Sequence, residues 1–179
     1  RLKRSAALTD GLVNELEGGK FSVVLFKGKA VKVVPMTEDT AVIHSLTDTL
    51  TSGLITSPGT NIEEGLEEAI AAFPEATQSH KVILLFSDGE DLSGNPSRVL
   101  RHAVGDGIPI FTVGLGSEEG SPIRLSDNSF VRDEEGEVVI SKLDTALLKE
   151  IAEESGGRYF DARQTNLGNS LRTAVYDII

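Results

Sequence analysis

The 179-residue sequence contains no cysteine, no tryptophan and a single methionine, and aromatic residues make up only 5% of it. Without cysteine, the chain forms no disulfide, no thiolate metal site and no cysteine nucleophile. It contains no run of about 18 apolar residues, so it predicts no membrane-spanning helix. The P-loop and dinucleotide-binding patterns are missing, and so is the Gly-x-Ser-x-Gly elbow of α/β-hydrolases. These absences exclude several enzyme classes.

Basic residues are scarce, with 17 Lys and Arg against 28 Asp and Glu and a formal net charge of −11. Such a field repels phosphate backbones and anionic lipid surfaces, which argues against a nucleic-acid partner and against direct membrane binding. The main basic cluster is Arg1, Lys3 and Arg4. The remaining composition, 39% hydrophobic and 25% charged, is typical of a globular protein. Residues 1–179 are predicted to form one domain.

Short apolar runs alternate with amphipathic stretches along the chain. Leu8, Leu12 and Leu16 recur at helical spacing, and residues 82–86 have the continuous apolar character of a strand buried on both faces. Strands are predicted at 21–26, 30–34 (an edge strand ending at Pro35), 82–86, 108–113 and 158–160, and helices at 1–16, 37–50, 62–73, 95–105, 144–156 and 167–178.

This order predicts an α/β fold. We expect a three-layer, Rossmann-like sandwich, with a mostly parallel sheet, one antiparallel edge strand and helices on both faces. Residues 117–142 are polar and irregular, and are predicted to be an inserted excursion that contains a β-hairpin with strands at 124–131 and 137–141.

Two polar loops are expected to meet at the carboxyl edge of this sheet, where ligands of such folds bind. One loop precedes the helix at 62 and carries Ser57, Gly59, Thr60 and Asn61; the other follows the strand at 82–86 and carries Asp88, Gly89, Glu90 and Asp91. Hydroxyl and carboxylate oxygens suit a hard cation such as Mg²⁺, Mn²⁺ or Ca²⁺.

Structural interpretations of the same residues remain open. Thr60 begins a capping-box pattern and could cap the following helix. Asp88-Gly89 is a common turn sequence, and Glu90 and Asp91 are typical of solvated surface charge. A metal-dependent hydrolase or phosphotransferase, with Asp88, Glu90 and Asp91 holding the metal, is one functional alternative. A metal-free structural scaffold is the other.

Three segments resemble a known family. Residues 58–66 (Pro-Gly-Thr-Asn-Ile-Glu-Glu-Gly-Leu) and 82–91 (Val-Ile-Leu-Leu-Phe-Ser-Asp-Gly-Glu-Asp) resemble the second and third segments of the metal-ion-dependent adhesion site of von Willebrand factor type A (vWA) domains. Residues 108–116 are similar to the family's fifth strand. The hairpin region and the stretch that ends Ser-Gly-Gly-Arg-Tyr-Phe are similar to bacterial Bat aerotolerance-type proteins.

The resemblance implies a non-catalytic protein-binding module. Thr60 and Asp88 would ligate Mg²⁺, Mn²⁺ or Ca²⁺, and an acidic side chain of the partner would complete the shell. The surrounding rim would be Ser57, Gly59, Asn61, Gly89, Glu90 and Asp91. The implied partners are a MoxR-type ATPase or another vWA protein. The implied location is the periplasmic or external face of a membrane-anchored parent protein in the bacterial cell envelope.

One part of the family pattern is missing from the sequence. The family's first segment, Asp-x-Ser-x-Ser, ends a central strand that lies between the strands at 21–26 and 82–86, and this chain has no such motif. Removing a central strand exposes two apolar edges. We therefore hypothesise that a strand from outside this stretch, either preceding Arg1 or supplied in trans, fills the gap. Continuous main-chain pairing between 21–26 and 82–86 would contradict this hypothesis.

Overall fold

The computed structural model describes residues 1–16, 18–51, 54, 59–74, 79–90, 95–122, 129–132 and 135–179. Its helices are α1 (Leu2–Glu15), α2 (Thr40–Thr49), α3 (Ile62–Ile70), α4 (Ser97–Gly105), α5 (Thr145–Glu154) and α6 (Leu167–Tyr176). Its strands are β1 (Phe21–Phe26), β2 (Ala30–Thr37), β3 (Ile83–Ser87), β4 (Ile110–Gly114), β5 (Ser121–Pro122), β6 (Ile140–Ser141) and β7 (Tyr159–Asp161).

A parallel three-stranded sheet, in the order β3-β4-β7, forms the centre of the protein. β4 is its middle strand, and all five of its residues are buried. Because parallel neighbours need a crossover connection, α4 joins β3 to β4, and α5 follows the longer connection from β4 to β7. This arrangement confirms the predicted α/β class and puts the ends of β3, β4 and β7 at one edge.

Helices cover both faces of the sheet. On one face, α3, α4 and α5 pack with β3 and β4 around buried residues such as Leu66, Leu100 and Ile151. On the other face, α1 and α6 pack on β4 and β7 around Leu12, Phe111 and Leu171. The alternation of β-strand side chains supplies apolar groups to both layers, which is the expected structure of a three-layer sandwich.

The hairpin β1–β2 forms a separate two-stranded antiparallel sheet. Across the described residues, main-chain pairing joins β1 only to β2 and leaves β1 and β3 unpaired with each other. The hairpin is held instead by packing: Phe26 contacts the core under α3, and Val34 packs with Val13 and Ile43. The hypothesis that another strand lies between β1 and β3 therefore stays a prediction.

Several sequence-based boundaries were wrong. β2 does not end at Pro35 but continues to Thr37, which is possible because Pro35 lies on an edge strand, where a missing N–H costs no ladder bond. The second helix begins at Thr40 rather than beside Thr37, since Asp39 is its N-cap and accepts a 3.0 Å hydrogen bond from the Ala41 amide.

Two further corrections concern α3 and β3. α3 ends at Ile70, where three further residues to Phe73 were predicted. β3 is buried on one face and only half-buried on the other, although burial on both faces was predicted. Its half-buried side chains, Leu84 and Phe86, lie on the face that carries α1 and α6.

The polar region after β4 contains an antiparallel pair. β5 pairs with β6, and an isolated bridge joins Arg132 to Val138. Most of the strand predicted at 124–131 lies outside the described residues. The division into one domain with an inserted excursion at 117–142 remains a prediction.

Candidate functional site

Asp88 lies directly after β3, in a loop fixed by main-chain contacts. The Ser87 carbonyl accepts a 2.8 Å hydrogen bond from the Leu115 amide, and the Asp88 carbonyl accepts one of 2.8 Å from the Asp144 amide. The buried Ser87 hydroxyl accepts a 3.0 Å bond from the Gly89 amide. The loop is therefore tied to the end of β4 and to the start of α5, at the carboxyl edge of the sheet.

Gly89 is required by this geometry. Its φ of +77° lies in the left-handed region, and a Cβ atom built there would lie 2.2 Å from the Asp144 carbonyl oxygen. No L side chain fits at that distance. The Asp88-Gly89 turn is thus structural, as one interpretation of the sequence holds.

Ser141, at the end of β6, brings two carboxylates together. Its hydroxyl oxygen lies 3.0 Å from Asp88 Oδ2 and 3.0 Å from Glu90 Oε2. A hydroxyl has one proton, so it donates to one of these oxygens at a time. The other oxygen of Glu90 accepts a 3.0 Å hydrogen bond from the Lys142 amide. Glu90 is therefore held against the excursion and is not a free surface charge.

The Arg1 guanidinium lies in the same cluster. Arg1 Nη1 is 2.6 Å from Asp88 Oδ2, and it also donates to the Ser141 hydroxyl. Arg1 Nη2 donates a 3.0 Å bond to the Ser141 carbonyl. The Arg1 side chain is 30% exposed and that of Asp88 is 23% exposed. A cationic group thus already contacts the Asp88 carboxylate.

The first predicted loop reaches α3 through Gly59, Thr60 and Asn61. The N-cap of α3 is Asn61, whose side chain accepts a 3.0 Å bond from the Glu64 amide, so the alternative that Thr60 caps the helix is wrong. Thr60 is half-buried beside this cap. The Asn95 amide donates a 3.0 Å bond to Glu63 Oε2, which brings the chain that follows Asp88 back to the first turn of α3. Predicted rim residues Ser57 and Asp91 lie outside the described residues.

A second polar pair lies at the end of β7. The Arg163 guanidinium donates to both oxygens of Asp161 and holds the pKa of that carboxyl below its usual value. Burial raises the pKa of the neighbouring Tyr159 phenol. The carboxyl edge therefore carries an acidic residue after β3 and another in β7, each paired with an arginine.

The donors around Asp88 fit a hard cation in chemical type. They are carboxylate and hydroxyl oxygens from Asp88, Glu90 and Ser141, and those of Asp88 and Ser141 already contact a guanidinium. In the described part of the chain, no group of three or more His, Cys, Asp or Glu side chains could hold a metal. Hydroxyl, water or partner oxygens would therefore complete the shell.

Comparisons with known proteins identify the family of this chain. The family model of the von Willebrand factor type A domain matches residues 1–90, which include β3 and Asp88. The chain belongs to the von Willebrand factor type A domain family. A search of curated proteins gave no significant match to this vWA chain.

Solved structures extend the similarity of this vWA chain over almost its whole length. It is 27% identical to BatB from Bacteroides thetaiotaomicron, with a TM-score of 0.95 over 99% of this chain and 88% of that one. It is 28% identical to an aerotolerance-related membrane protein from Bacteroides fragilis, solved with multiple mutations to serines, with a TM-score of 0.90 over 99% and 87% of the two chains.

More distant structures show the same fold. Proximal thread matrix protein 1 from the mussel byssus, solved with a zinc-occupied MIDAS motif, is 18% identical, with a TM-score of 0.66 over 98% of this chain and 39% of that one. The resemblances to the vWA family and to Bat-type proteins that the sequence indicated are thus confirmed, and so is the fold class.

Two residues of the cluster were not identified as site residues from the sequence. Ser141 lies at the end of the irregular 117–142 region, and no motif marks it. Arg1 belongs to a cluster of basic residues that only indicated surface charge. For Ser141, the order of the elements was a signal: it lies at the end of β6, which leads directly into α5, and the amide at the start of α5 donates a hydrogen bond to the Asp88 carbonyl.

Proposed function

We propose that this vWA domain binds a divalent cation, Mg²⁺ or Mn²⁺, through Thr60 and Asp88, and that the cation in turn binds an acidic side chain of a protein partner. Mg²⁺ takes six oxygen ligands and keeps several waters, so two ligands from the chain leave positions for water and for a partner carboxylate. The surface around the cation would be formed by Ser57, Gly59, Asn61, Gly89, Glu90 and Asp91.

The observation that carries this proposal is the position of Asp88. Its carboxylate lies at the carboxyl edge of a parallel sheet, within hydrogen-bond distance of a hydroxyl and in contact with a positive group. An acidic side chain in such a cluster favours cations.

A binding role fits the cluster better than catalysis. A metal-dependent hydrolase needs a base positioned to activate water. Glu90, which shares the Ser141 hydroxyl with Asp88, is a candidate for that base, but one of its oxygens accepts a hydrogen bond from the Lys142 amide and the other lies 3.0 Å from the Ser141 hydroxyl. These contacts hold the Glu90 side chain against the end of β6, so Glu90 serves to position the loop.

One relative supports a proposed location for this domain. A protein 28% identical is a membrane protein related to aerotolerance. We propose that the parent of this domain is also anchored in a bacterial envelope membrane, with the domain on its periplasmic or external face, and that the partner is a MoxR-type ATPase or another vWA protein. In the part that the structure describes, no helix is long and apolar enough to cross a membrane.

Thermal unfolding in increasing Mg²⁺ and Mn²⁺ tests the cation site. Ligand that binds only the native state raises its stability by about 2.7 kcal/mol at one hundred times the dissociation constant. We expect a saturable rise that is lost in Asp88→Asn and weakened in Thr60→Val. Asp106→Asn is the matched control, because Asp106 is exposed and follows α4 at the opposite edge of the sheet.

The outcomes separate the alternatives. A rise retained in Asp106→Asn and lost in Asp88→Asn supports the proposal. No rise in any chain would refute the cation site and favour a metal-free scaffold.

A separate binding experiment tests the partner. If the cation site is present, a purified MoxR-type ATPase from the organism that carries this protein should bind the native chain in Mg²⁺ and not in excess chelator. Equal binding in both conditions would show that the interaction does not use the cation.

A further inference from the structure

The Arg1 guanidinium is held by three elements at the carboxyl edge. It contacts Asp88 after β3 and both the hydroxyl and the carbonyl of Ser141 at the end of β6. It also lies against Gly116, just after β4, where a Cβ atom would come within 3.0 Å of Arg1 Nη2. A glycine at this position makes room for the flat guanidinium, so the arginine is seated in the cluster.

The contacted carboxylate oxygen has little capacity left. Asp88 Oδ2 lies 2.6 Å from Arg1 Nη1 and 3.0 Å from the Ser141 hydroxyl. The guanidinium N–H occupies one acceptor position of this oxygen, and the Ser141 hydroxyl, whose single proton goes either to Asp88 or to Glu90, lies against the same oxygen. A divalent cation that approached this oxygen would also meet the positive guanidinium, which repels it.

We propose that Arg1 is a built-in competitor for the cation: its guanidinium occupies Asp88 in the cation-free protein and must leave before a divalent cation can bind there. This inference rests on the proposed cation site and adds its regulation. The release would free the arginine fork, which suits bidentate contact with a carboxylate, at the same surface where an acidic partner is proposed to bind.

Direct binding of Mn²⁺, followed by the loss of its free-ion electron paramagnetic resonance signal, tests the competition. We expect Arg1→Gln to bind Mn²⁺ about twofold to fivefold more tightly than the native chain, since a surface ion pair is worth up to roughly that ratio. Lys3→Gln is the matched control: it removes the same charge from an exposed residue in the first turn of α1, outside the cluster.

A second measurement uses the unsubstituted chain. Side-chain nitrogen NMR signals of Arg1 should move towards those of a free arginine as Mg²⁺ is added, with the same midpoint as the cation-binding curve. Signals of Arg1 that stay unchanged while the cation binds would overturn the inference, because the cation would then use the other oxygen of Asp88.

The two proposals fail in different ways. Equal Mn²⁺ affinity in native, Arg1→Gln and Lys3→Gln chains leaves the cation site standing and overturns the competition alone. An equal gain in Mn²⁺ affinity in Arg1→Gln and Lys3→Gln also overturns the competition, because the gain would then come from the change in the net charge of the protein. Absence of Mn²⁺ binding in every chain, including Arg1→Gln, refutes the cation site and the competition together.

Discussion

The Asp144 amide donates a 2.8 Å hydrogen bond to the Asp88 carbonyl, and this bond joins the loop after β3 to the first turn of α5. Asp144 also caps α5, since its side chain accepts bonds from the Ala146 and Leu147 amides. The candidate cation ligand and the helix start therefore depend on each other. Any group inserted between the loop after β3 and the first turn of α5 should therefore disturb both elements.

Gly89→Ala inserts such a group. The new Cβ would lie 2.2 Å from the Asp144 carbonyl oxygen, at a φ of +77°. We expect the free energy of unfolding to fall by about 3 kcal/mol or more, the sum of a positive-φ penalty and a steric clash. Gly156→Ala is the control: its φ is +76° and its Cβ would meet nothing within 4 Å. It should lose only about 1–2 kcal/mol in chemical denaturation. Equal losses would show that the contact with Asp144 carries no energetic weight.

Gly65→Ala should destabilise the contact between α3 and β1. Alanine normally stabilises a helix interior by about 1 kcal/mol over glycine. Here the added Cβ would lie 2.8 Å from Phe26 Cγ, and overpacking of this kind costs about 1–3 kcal/mol. We expect a net loss of about 1 kcal/mol by urea unfolding.

Gly11→Ala provides the comparison for Gly65→Ala. Gly11 is exposed in the middle of α1, and a Cβ there meets nothing within 4 Å, so this variant should gain stability. The double variant Phe26→Leu with Gly65→Ala should lose less than the sum of the two single changes. A gain in Gly65→Ala as large as that in Gly11→Ala would contradict the clash.

Tyr159→Phe should not reduce stability. Within the described residues, the buried Tyr159 hydroxyl has no hydrogen-bond partner, and it packs against Gly114. Because a buried hydroxyl without a partner costs free energy, its removal should leave the melting temperature equal or raise stability by about 1 kcal/mol. Tyr176→Phe is the counterpart, since the Tyr176 hydroxyl donates a 3.1 Å bond to the Glu15 carbonyl; it should lose up to about 1 kcal/mol. A clear loss in Tyr159→Phe would reveal a partner for its hydroxyl.

The Asp10–His44 pair between α1 and α2 should make stability depend on acid. A hydrogen bond with His44 lowers the pKa of Asp10 from its ordinary value of 3.8. When the pKa of a carboxyl is lower in the folded chain than in the unfolded chain, the carboxyl raises the free energy of unfolding at every pH above its unfolded-state pKa. That contribution is lost as the pH falls through its folded-state pKa. Asp10 is 41% exposed and His44 31% exposed, so we expect a contribution below about 1 kcal/mol.

The comparison of native and Asp10→Asn chains from about pH 6 to pH 2 measures this contribution as a difference in melting temperature. The native chain should melt at a higher temperature than Asp10→Asn near pH 6, and this difference in melting temperature should shrink towards zero as the solution becomes acidic. Asp48→Asn, an exposed change on the same helix α2, should show no such closing. A difference that persists unchanged at the acid end would mean that it does not come from ionisation of the Asp10 carboxyl.

Much of the fold could be predicted from periodicity alone. The stripe through Leu8, Leu12 and Leu16 is α1, and the apolar run around Leu85 is β3, because burial imposes a regular spacing on both elements. The position of Asp88 followed directly, since it comes after a strand whose end lies at the ligand-binding edge.

The helix cap of α3 and the contacts around Asp88 could not be predicted from local sequence patterns. Thr60 and Asn61 are both good capping residues, and the choice of Asn61 reflects its extended backbone, with φ of −134°, immediately before Ile62. The contact of Ser141 with Asp88 joins residues 53 positions apart across a region without periodicity. The packing of Arg1 against Gly116 is similarly remote in sequence.

The separation of the hairpin from the parallel sheet has a consequence for how the protein opens. In the described residues, β1 and β2 share ladder hydrogen bonds only with each other. The hairpin is otherwise held by side-chain packing, by an ion pair between Lys32 and Glu68, and by a 2.8 Å bond from the Asn61 amide to the carbonyl of Lys27 in its turn. Elements joined in this way open as a sub-global unit at lower free energy than a central strand. Backbone amides of 21–37 should therefore exchange with solvent deuterium well before those of β4, while the Asp88 cluster stays folded.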